Sequence, residues 1–202
     1  PFGEDLTRNR SWDTVVQLDN QVICDCVHLV AERLPVEYQS VTKIIPARHR
    51  NSSTAPGSPT KPFRYFVHCG AGASDVVRIE VQAFHDGYFR PGNRGADDVP
   101  PGFSAPSWYP WPMVRTSVDV PTLVEHLRID KGWGNHIEQS EDAGRYLCEY
   151  TYYLSLAEAI ESDRDMPLVL FVHVPPSGGP YSDSELAQIV RDILEWLHTT
   201  YG

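Results

Sequence analysis

The sequence predicts a layered α/β domain with a mostly parallel sheet, and three observations support this prediction. Short apolar runs such as "FRYFVHCG" and "PLVLFVHVPP" have the length and composition of strands that are buried on both faces. Amphipathic runs have helical spacing, and the longest, "SDSELAQIVRDILEWLHTTY", has Ser182 or Ser184 as its N-cap. The two kinds of run alternate along the chain, which is typical of a sheet whose crossovers are helical.

The other elements are justified by local pattern. "SWDTVVQLDNQ" has helical spacing with Ser11 as N-cap, and "VICDCVHLVAERLPVEY" is an extended β-branched run that Pro35 interrupts. Val36 to Ile45 recovers helical spacing, and "VVRIEVQAF" alternates as a strand. The remaining predicted elements are a helix in "SVDVPTLVEHL", a short strand in "HIEQS" and a helix in "SEDAGRYLCEYTYYLSL".

Chain length and composition indicate one domain that covers residues 1–202. A chain of 202 residues with 41% hydrophobic content can bury a full core. Residues 46–62 are rich in Pro, Ser and Thr and are predicted to be a loop insertion. Residues 90–111 have no periodicity and are predicted to be a long irregular loop that covers a site.

The charge of the chain disfavours two classes of partner. A net charge of −10, without a cluster of Lys and Arg, removes the electrostatic basis for binding nucleic acid or anionic lipid. No apolar run approaches the ~20 residues that span a bilayer, and no leader of basic and then apolar residues opens the chain. We therefore expect a cytoplasmic protein without nucleic-acid or membrane partners.

The cysteines indicate a reducing compartment. Cys24, Cys26, Cys69 and Cys148 have neither the spacing of a disulfide framework nor that of paired zinc ligands. The chain begins "PFGEDLTRNRSW" without an initiator Met, where such a domain would open with an apolar strand. We therefore expect separate thiols and a missing upstream segment.

Cys148 is the first candidate for chemistry. It lies near the predicted start of a helix, where backbone N–H groups stabilise a thiolate. The preceding Asp142, Ala143 and Gly144 supply a capping acid and small residues that let the backbone approach a ligand. The alternative is a buried structural cysteine on the apolar face of that helix.

A thiol nucleophile needs a base and a group that orients the base. His173 ends an apolar strand, where burial requires a hydrogen-bond partner, and Glu80 stands among β-branched residues of another strand. The alternatives are a core histidine bonded to a backbone carbonyl and a glutamate on a solvent face. His68 and Cys69 form a rival pair, but adjacent strand residues point to opposite faces, so a structural role is preferred.

Several motifs resemble one known family. "SEDAGRYLCEYTYYLSL" and "LFVHVPPSGGPYSDSEL" resemble the cysteine and histidine motifs of pyroglutamyl peptidase I, the pyrrolidone-carboxylate peptidase family. "PFGEDLTRNRSW", "LPVEYQSVTKIIP" and "FVHCGAG" are similar to further segments of that family in the same order. The resemblance covers nearly the whole chain and weakens at the Pro/Ser-rich insertion and between Arg90 and Asn135.

The resemblance implies a cysteine omega-peptidase that removes an N-terminal pyroglutamyl residue from peptides, without metal or cofactor, on a three-layer α/β/α sandwich. It implies that Cys148 is the nucleophile, His173 the general base and then acid, and Glu80 the carboxylate that orients the imidazole. The expected partners are peptides with N-terminal pyroglutamate. The substrate-binding residues that the resemblance implies are Phe2, Tyr146, Leu147 and Arg90.

The chain also departs from the family pattern. The first strand of the sheet and the first Phe of the N-terminal turn are not in the sequence, and His85 and Ala71 replace residues that relatives carry near the site. Two other functions therefore stay open: a catalytically silent or truncated relative that acts as a binding domain, and a cysteine hydrolase of another small amide or lactam.

Overall fold

The computed structural model describes residues 9–50, 62–162 and 166–202. In chain order, the elements within these ranges are α1 (Arg10–Val15), a 3₁₀ turn (Val16–Leu18), β1 (Val22–Ile23), β2 (Val27–His28), α2 (Tyr38–His49), β3 (Tyr65–Ala71), β4 (Val77–Glu80), β5 (Gln82–Phe84), a 3₁₀ turn (Pro101–Phe103), β6 (Met113–Arg115), α3 (Val120–Ile129), β7 (Ile137–Ser140), α4 (Leu147–Ile160), β8 (Leu168–Val174) and α5 (Asp183–Tyr201).

The central sheet has four strands in the order β3, β8, β4, β7. β3 runs parallel to β8 and β4 runs parallel to β7, whereas β4 and β8 are antiparallel. The mostly parallel sheet that the sequence predicts is therefore confirmed. Two short antiparallel ribbons, β1 with β2 and β5 with β6, lie outside this sheet.

Helices cover both faces of the sheet because the side chains of its strands alternate between two apolar cores. Val169 and Phe171 of β8 pack with residues of α2 and α4, whereas Leu170 and Val172 pack with residues of α3 and α5. α1 packs beside α5. The result is the expected three-layer α/β/α sandwich.

Local structure differs from the sequence prediction near the start of the chain. The N-cap of α1 is Asn9, whose side-chain oxygen accepts from the backbone N–H groups of Ser11 and Trp12, so the prediction of Ser11 is wrong. The predicted long strand after it is also wrong. Cys24 and Asp25 have φ values of 48° and 58°, and this left-handed turn folds the run into the β1–β2 hairpin.

The two predicted loops have different surroundings. Helix α2 continues through Pro46 to His49, so the first residues of the Pro/Ser-rich segment are helical, and residues 51–61 lie outside the described ranges. Within residues 90–111 the only regular element is the 3₁₀ turn at Pro101–Phe103. This long loop is fixed to the helices, because Asp98 accepts from the backbone N–H of Tyr38 at 3.2 Å. Among the described helices, none combines the length and hydropathy that a bilayer crossing requires.

Candidate active site

Cys148 is the second residue of α4 and therefore lies at the N-terminal end of this helix, beside β3. The N-cap residue, Tyr146, makes no side-chain capping hydrogen bond, so the first backbone N–H groups of α4 are left for another acceptor. Gly70 of β3 lies directly against the thiol, because a Cβ atom at that position would be 2.9 Å from Cys148 Sγ. A glycine is therefore required for strand and thiol to meet at this distance.

His173 and Glu80 form a buried pair on the same face of the sheet as Cys148. His173 Nδ1 lies 2.8 Å from Glu80 Oε1, and the Glu80 side chain has no solvent exposure. The second carboxylate oxygen, Glu80 Oε2, is buried without a hydrogen-bond partner in the described part of the chain. Among the described residues, the imidazole of His173 is therefore the hydrogen-bond partner of the Glu80 side chain.

The imidazole of His173 interacts with both neighbours. Burial lowers the pKa of His173, but hydrogen bonds and charge interactions with Cys148 and Glu80 outweigh burial and raise it to about 9. The positive form of the imidazole is thus favoured by the negative charge of Glu80 and by a thiolate at Cys148. This order of groups is what a Cys nucleophile, its base and an orienting acid require.

A second buried carboxylate, Glu149, organises the turn before α4. It accepts hydrogen bonds from the backbone N–H of Phe84 at 3.0 Å and from both the backbone and the guanidinium of Arg145. Arg145 has a φ of 48° and its guanidinium carbon lies 3.7 Å from the centre of the Phe84 ring. Sequence reasoning missed Glu149, although an acidic residue in the first turn of a helix was a signal for a capping role.

The other predicted site residues lie on either side of this turn. Tyr146 donates from its hydroxyl to the carbonyl of Pro91 at 3.1 Å, and Arg90 lies over the Tyr146 ring at 4.4 Å. Leu147 is buried in the core between α2 and α4. Phe2 lies outside the described residues. Arg90 therefore contacts Tyr146, which precedes Cys148 by two residues, and Leu147 lines the same groove as Cys148 as well as packing in the core.

A groove gives the thiol access to solvent. Its volume is about 1310 Å³, and Tyr146, Cys148 and Gly70 are among its lining residues. Ala71, one of the departures from the family pattern, also lines it. His85, the other, packs edge-on against Tyr153 at 5.4 Å.

The rival pair of His68 and Cys69 is divided between the two faces of β3. His68 Nε2 lies 2.9 Å from the Ser155 hydroxyl on the α4 side, whereas Cys69 packs with residues of the opposite core. Burial raises the pKa of Cys69 to about 12, which leaves it a neutral thiol. The two side chains therefore cannot act together, as the strand geometry predicts.

Comparison with known proteins identifies the family. The chain is 31% identical to human pyroglutamyl-peptidase 1 over 204 residues, covering 96% of this chain and 84% of the relative. The chain belongs to the pyroglutamyl-peptidase family. Mouse pyroglutamyl-peptidase 1 matches equally, and the pyrrolidone-carboxylate peptidase of Escherichia fergusonii is 27% identical over 96% of this chain and 86% of its own. No protein-family model matches the chain.

Solved structures of pyroglutamyl-peptidase relatives share the fold. The pyrrolidone carboxyl peptidase of Fervidobacterium islandicum superposes with a TM-score of 0.77 at 26% identity, covering 98% of this chain and 94% of its own. That of Thermus thermophilus gives 0.70 at 27% identity, covering 96% and 95%. The family that the motifs suggest is thereby confirmed, as is its sandwich.

Proposed function

We propose that the protein removes N-terminal pyroglutamate from peptides, with Cys148 as nucleophile, His173 as general base and acid, and Glu80 as the group that orients the imidazole. The observation that carries the proposal is the buried Glu80–His173 contact of 2.8 Å, whose imidazole also interacts with the Cys148 thiol. Relatives named pyroglutamyl-peptidase 1 and pyrrolidone-carboxylate peptidase support the substrate class.

The first half of the reaction forms an acyl-enzyme. Transfer of the Cys148 proton to His173 leaves a thiolate that attacks the carbonyl carbon between pyroglutamate and the next residue. The oxyanion that develops is stabilised by backbone N–H groups at the start of α4, to which the side chain of the N-cap residue Tyr146 makes no hydrogen bond. His173 then donates its proton to the departing amine, and a thioester remains on Cys148.

The second half of the reaction regenerates the thiol. Water replaces the departed peptide, His173 takes one of its protons, and the resulting hydroxide attacks the thioester carbon. The C–S bond breaks, the thiolate recovers the proton from His173, and free pyroglutamate leaves. Glu80 is buried and bonded to Nδ1, so it keeps the second ring nitrogen, Nε2, directed at the thiol throughout.

Recognition of the lactam is assigned to the groups around the thiol. Pyroglutamate has no α-ammonium group, so shape and a few amide hydrogen bonds have to select it. Tyr146 and Arg90, in contact with each other at the entrance to α4, form one wall, and Leu147 supports it from the core. We assign Phe2 to the same site on the family resemblance alone.

The same proposal treats residues 1–202 as one domain and assigns it to the cytoplasm. All four cysteines, Cys24, Cys26, Cys69 and Cys148, are free thiols. Free thiols persist in reducing compartments, which keep thiols from forming disulfides. Cell fractionation checks this assignment.

Hydrolysis of a fluorogenic pyroglutamyl amide tests the proposal. We expect turnover by the unsubstituted protein and a loss of at least about a thousandfold in Cys148→Ser, because the weaker nucleophile is not activated by this base. Cys24→Ser, at an exposed thiol, is the matched control and should retain full activity. Retained turnover in Cys148→Ser would overturn the triad.

The substrate panel separates the alternatives. A prolyl amide and an open-chain glutaminyl amide have the same leaving group without the lactam, and we expect both to be poor substrates. Equal turnover of all three would indicate a hydrolase of other small amides. A folded protein that binds a pyroglutamyl peptide without cleaving it would indicate a binding domain.

A further inference from the structure

A second candidate for a reactive thiol, Cys26, lies at the tip of the β1–β2 hairpin, where Cys26, Tyr65 and His198 line the same groove as Cys148. Cys26 Sγ lies 3.5 Å from His198 Nε2, and the other ring nitrogen, His198 Nδ1, lies 3.2 Å from the Tyr65 hydroxyl. The three side chains come from β2's leading turn, from the last turn of α5 and from the first residue of β3. They form a line of thiol, imidazole and hydroxyl.

The Tyr65 hydroxyl can orient the imidazole of His198 towards the thiol. When His198 Nδ1–H donates to the Tyr65 oxygen, Nε2 carries a lone pair that faces the Cys26 thiol. His198 also lies in the last turn of α5, where the carbonyl end of the helix stabilises positive charge. The imidazole is therefore placed to act as a base for the Cys26 thiol.

Cys24 provides an internal comparison on the same turn. Both Cys24 and Cys26 are exposed, and they are separated only by Asp25. Cys24 has no hydrogen-bond partner among the described residues, whereas Cys26 is paired with His198. The two thiols thus differ in the presence of a base and share their solvent access.

We propose that Cys26 is a second reactive thiol of this protein, with His198 as its base, and that it is a modification site for peroxides and other small electrophiles. In the reaction with a peroxide, the Cys26 sulfur attacks one oxygen and the O–O bond breaks. The sulfur is oxidised to a sulfenic acid, and the peroxide is reduced. The proton held on His198 passes to the departing hydroxide, which leaves as water.

Limited alkylation of the full chain with iodoacetamide, read out for each cysteine by peptide mass spectrometry, tests this inference. The experiment uses the Cys148→Ser background, so it does not depend on the proposed function. We expect Cys26 to be alkylated about tenfold faster than Cys24, within the range that a positioned base contributes. Prior treatment with hydrogen peroxide should block the labelling of Cys26 before that of Cys24.

Three variants assign the effect to the cluster. His198→Phe should reduce the ratio of the two rates to about one, and Tyr65→Phe, which removes only the hydroxyl, should reduce it partly. His28→Phe removes an exposed imidazole from the same hairpin and should leave the ratio unchanged. Equal rates for the two thiols, or a ratio that persists in His198→Phe, would overturn the proposal.

Discussion

At the scale of single residues, the candidate active site depends on how one imidazole is held. His173 is the next-to-last residue of β8, whose other residues are apolar, and its pair with Glu80 reduces the cost of burying the ring. Glu80 itself is buried without any other hydrogen-bond partner for its carboxylate in the described ranges. Because each group compensates the burial of the other, neither can be replaced by itself without loss.

The pH dependence of turnover tests the role of Glu80. The carboxylate stabilises the positive form of His173, whose pKa is about 9, so kcat/KM should fall as pH rises through that value. Glu80→Gln keeps the shape and removes the charge, which lowers the pKa of His173. We expect the alkaline limb of the profile to move to lower pH by about one unit or more, with a rate loss of about tenfold to a hundredfold.

Glu138→Gln is the matched control for that experiment. Glu138 lies on the adjacent strand β7 and pairs at 2.9 Å with Arg78, and both side chains are 42% exposed. Its substitution should leave the pH profile unchanged, because an exposed pair contributes little. An alkaline limb that does not move in Glu80→Gln would contradict the orienting role.

Glu149 is expected to be a positioning residue for the same reaction. Its bonds to Phe84 and to Arg145 hold the turn from which the first N–H groups of α4 project. Glu149→Gln leaves one of these donors without an acceptor, so we expect kcat to fall by about tenfold while KM changes little. Glu149→Asp keeps the charge and should recover part of kcat. Steady-state kinetics that show kcat unchanged in Glu149→Gln would exclude this role.

At the scale of elements, the sequence predicts best where pattern and packing agree. Six of the seven residues of β8 are apolar, and its two faces meet two helical layers, so composition alone predicts it. The N-cap of α5 is Ser182, whose hydroxyl accepts from the backbone N–H of Glu185 while the Glu185 side chain accepts from the Ser182 N–H. That reciprocal cap was visible in the sequence as Ser followed by Glu three residues later.

The elements that the sequence predicts wrongly depend on single backbone conformations. The residues around Cys24 are β-branched and extended in pattern, but left-handed conformations at Cys24 and Asp25 reverse the chain. Asp is common in such turns, but Cys is not, and no Gly or Asn follows to mark the turn in the sequence. Pro46 similarly suggests the end of α2, yet the helix continues to His49.

The candidate site also combines features that the local sequence pattern predicts with features that only the folded structure shows. Cys148, His173 and Glu80 could each be nominated from the sequence, because each is unusual in its local pattern. The glycine that makes room for the thiol could not, because the contact between Gly70 and Cys148 exists only after β3 and α4 have packed. Residue type identifies candidate chemistry, whereas close approach is a property of the tertiary structure.

A buried histidine pair between β3 and helices α2 and α4 predicts acid sensitivity. His49 Nε2 and His68 Nε2 lie 2.8 Å and 2.9 Å from the same Ser155 hydroxyl. Burial lowers the pKa of His49 to about 3 and that of His68 to about 4, so the folded state keeps both rings neutral. The unfolded chain binds these protons near pH 6.5.

The stability that this pair contributes is present above pH 6.5 and is lost as pH falls towards 4. We expect the free energy of unfolding to decrease by roughly 2 kcal/mol over that interval on account of His68. Urea denaturation at several pH values measures it. His68→Gln should flatten the slope between pH 6.5 and 4, and His28→Gln, at an exposed histidine, should not. An equal slope in both variants would contradict the assignment.

At the scale of the whole molecule, hydrogen bonds and an ion pair connect α1, near the start of the described residues, to the segment between β8 and α5. Arg10, the first residue of α1, is only 8% exposed and donates to the carbonyls of Pro175, Pro176 and Tyr181. It also pairs with Asp183 at 2.8 Å. These groups are more than 160 positions away along the chain, so the Arg10 side chain links α1 to the segment between β8 and α5.

Replacement of Arg10 by Met tests how much this link contributes to stability. The apolar side chain fills a similar volume but removes the Arg10 guanidinium as donor to three carbonyl groups, and buried acceptors without partners are costly. We expect a loss of about 3 kcal/mol in the free energy of unfolding, measured from urea midpoints. Arg191→Met is the matched control, because Arg191 pairs with Glu195 on the half-exposed surface of α5 and should cost less than about 1 kcal/mol. Since Pro175 follows His173 by two residues, kcat should also fall in Arg10→Met at temperatures where the protein is still folded. Equal urea midpoints for the two variants would show that the contacts of Arg10 do not stabilise the fold. An unchanged kcat would show that the loop after β8 positions His173 without Arg10.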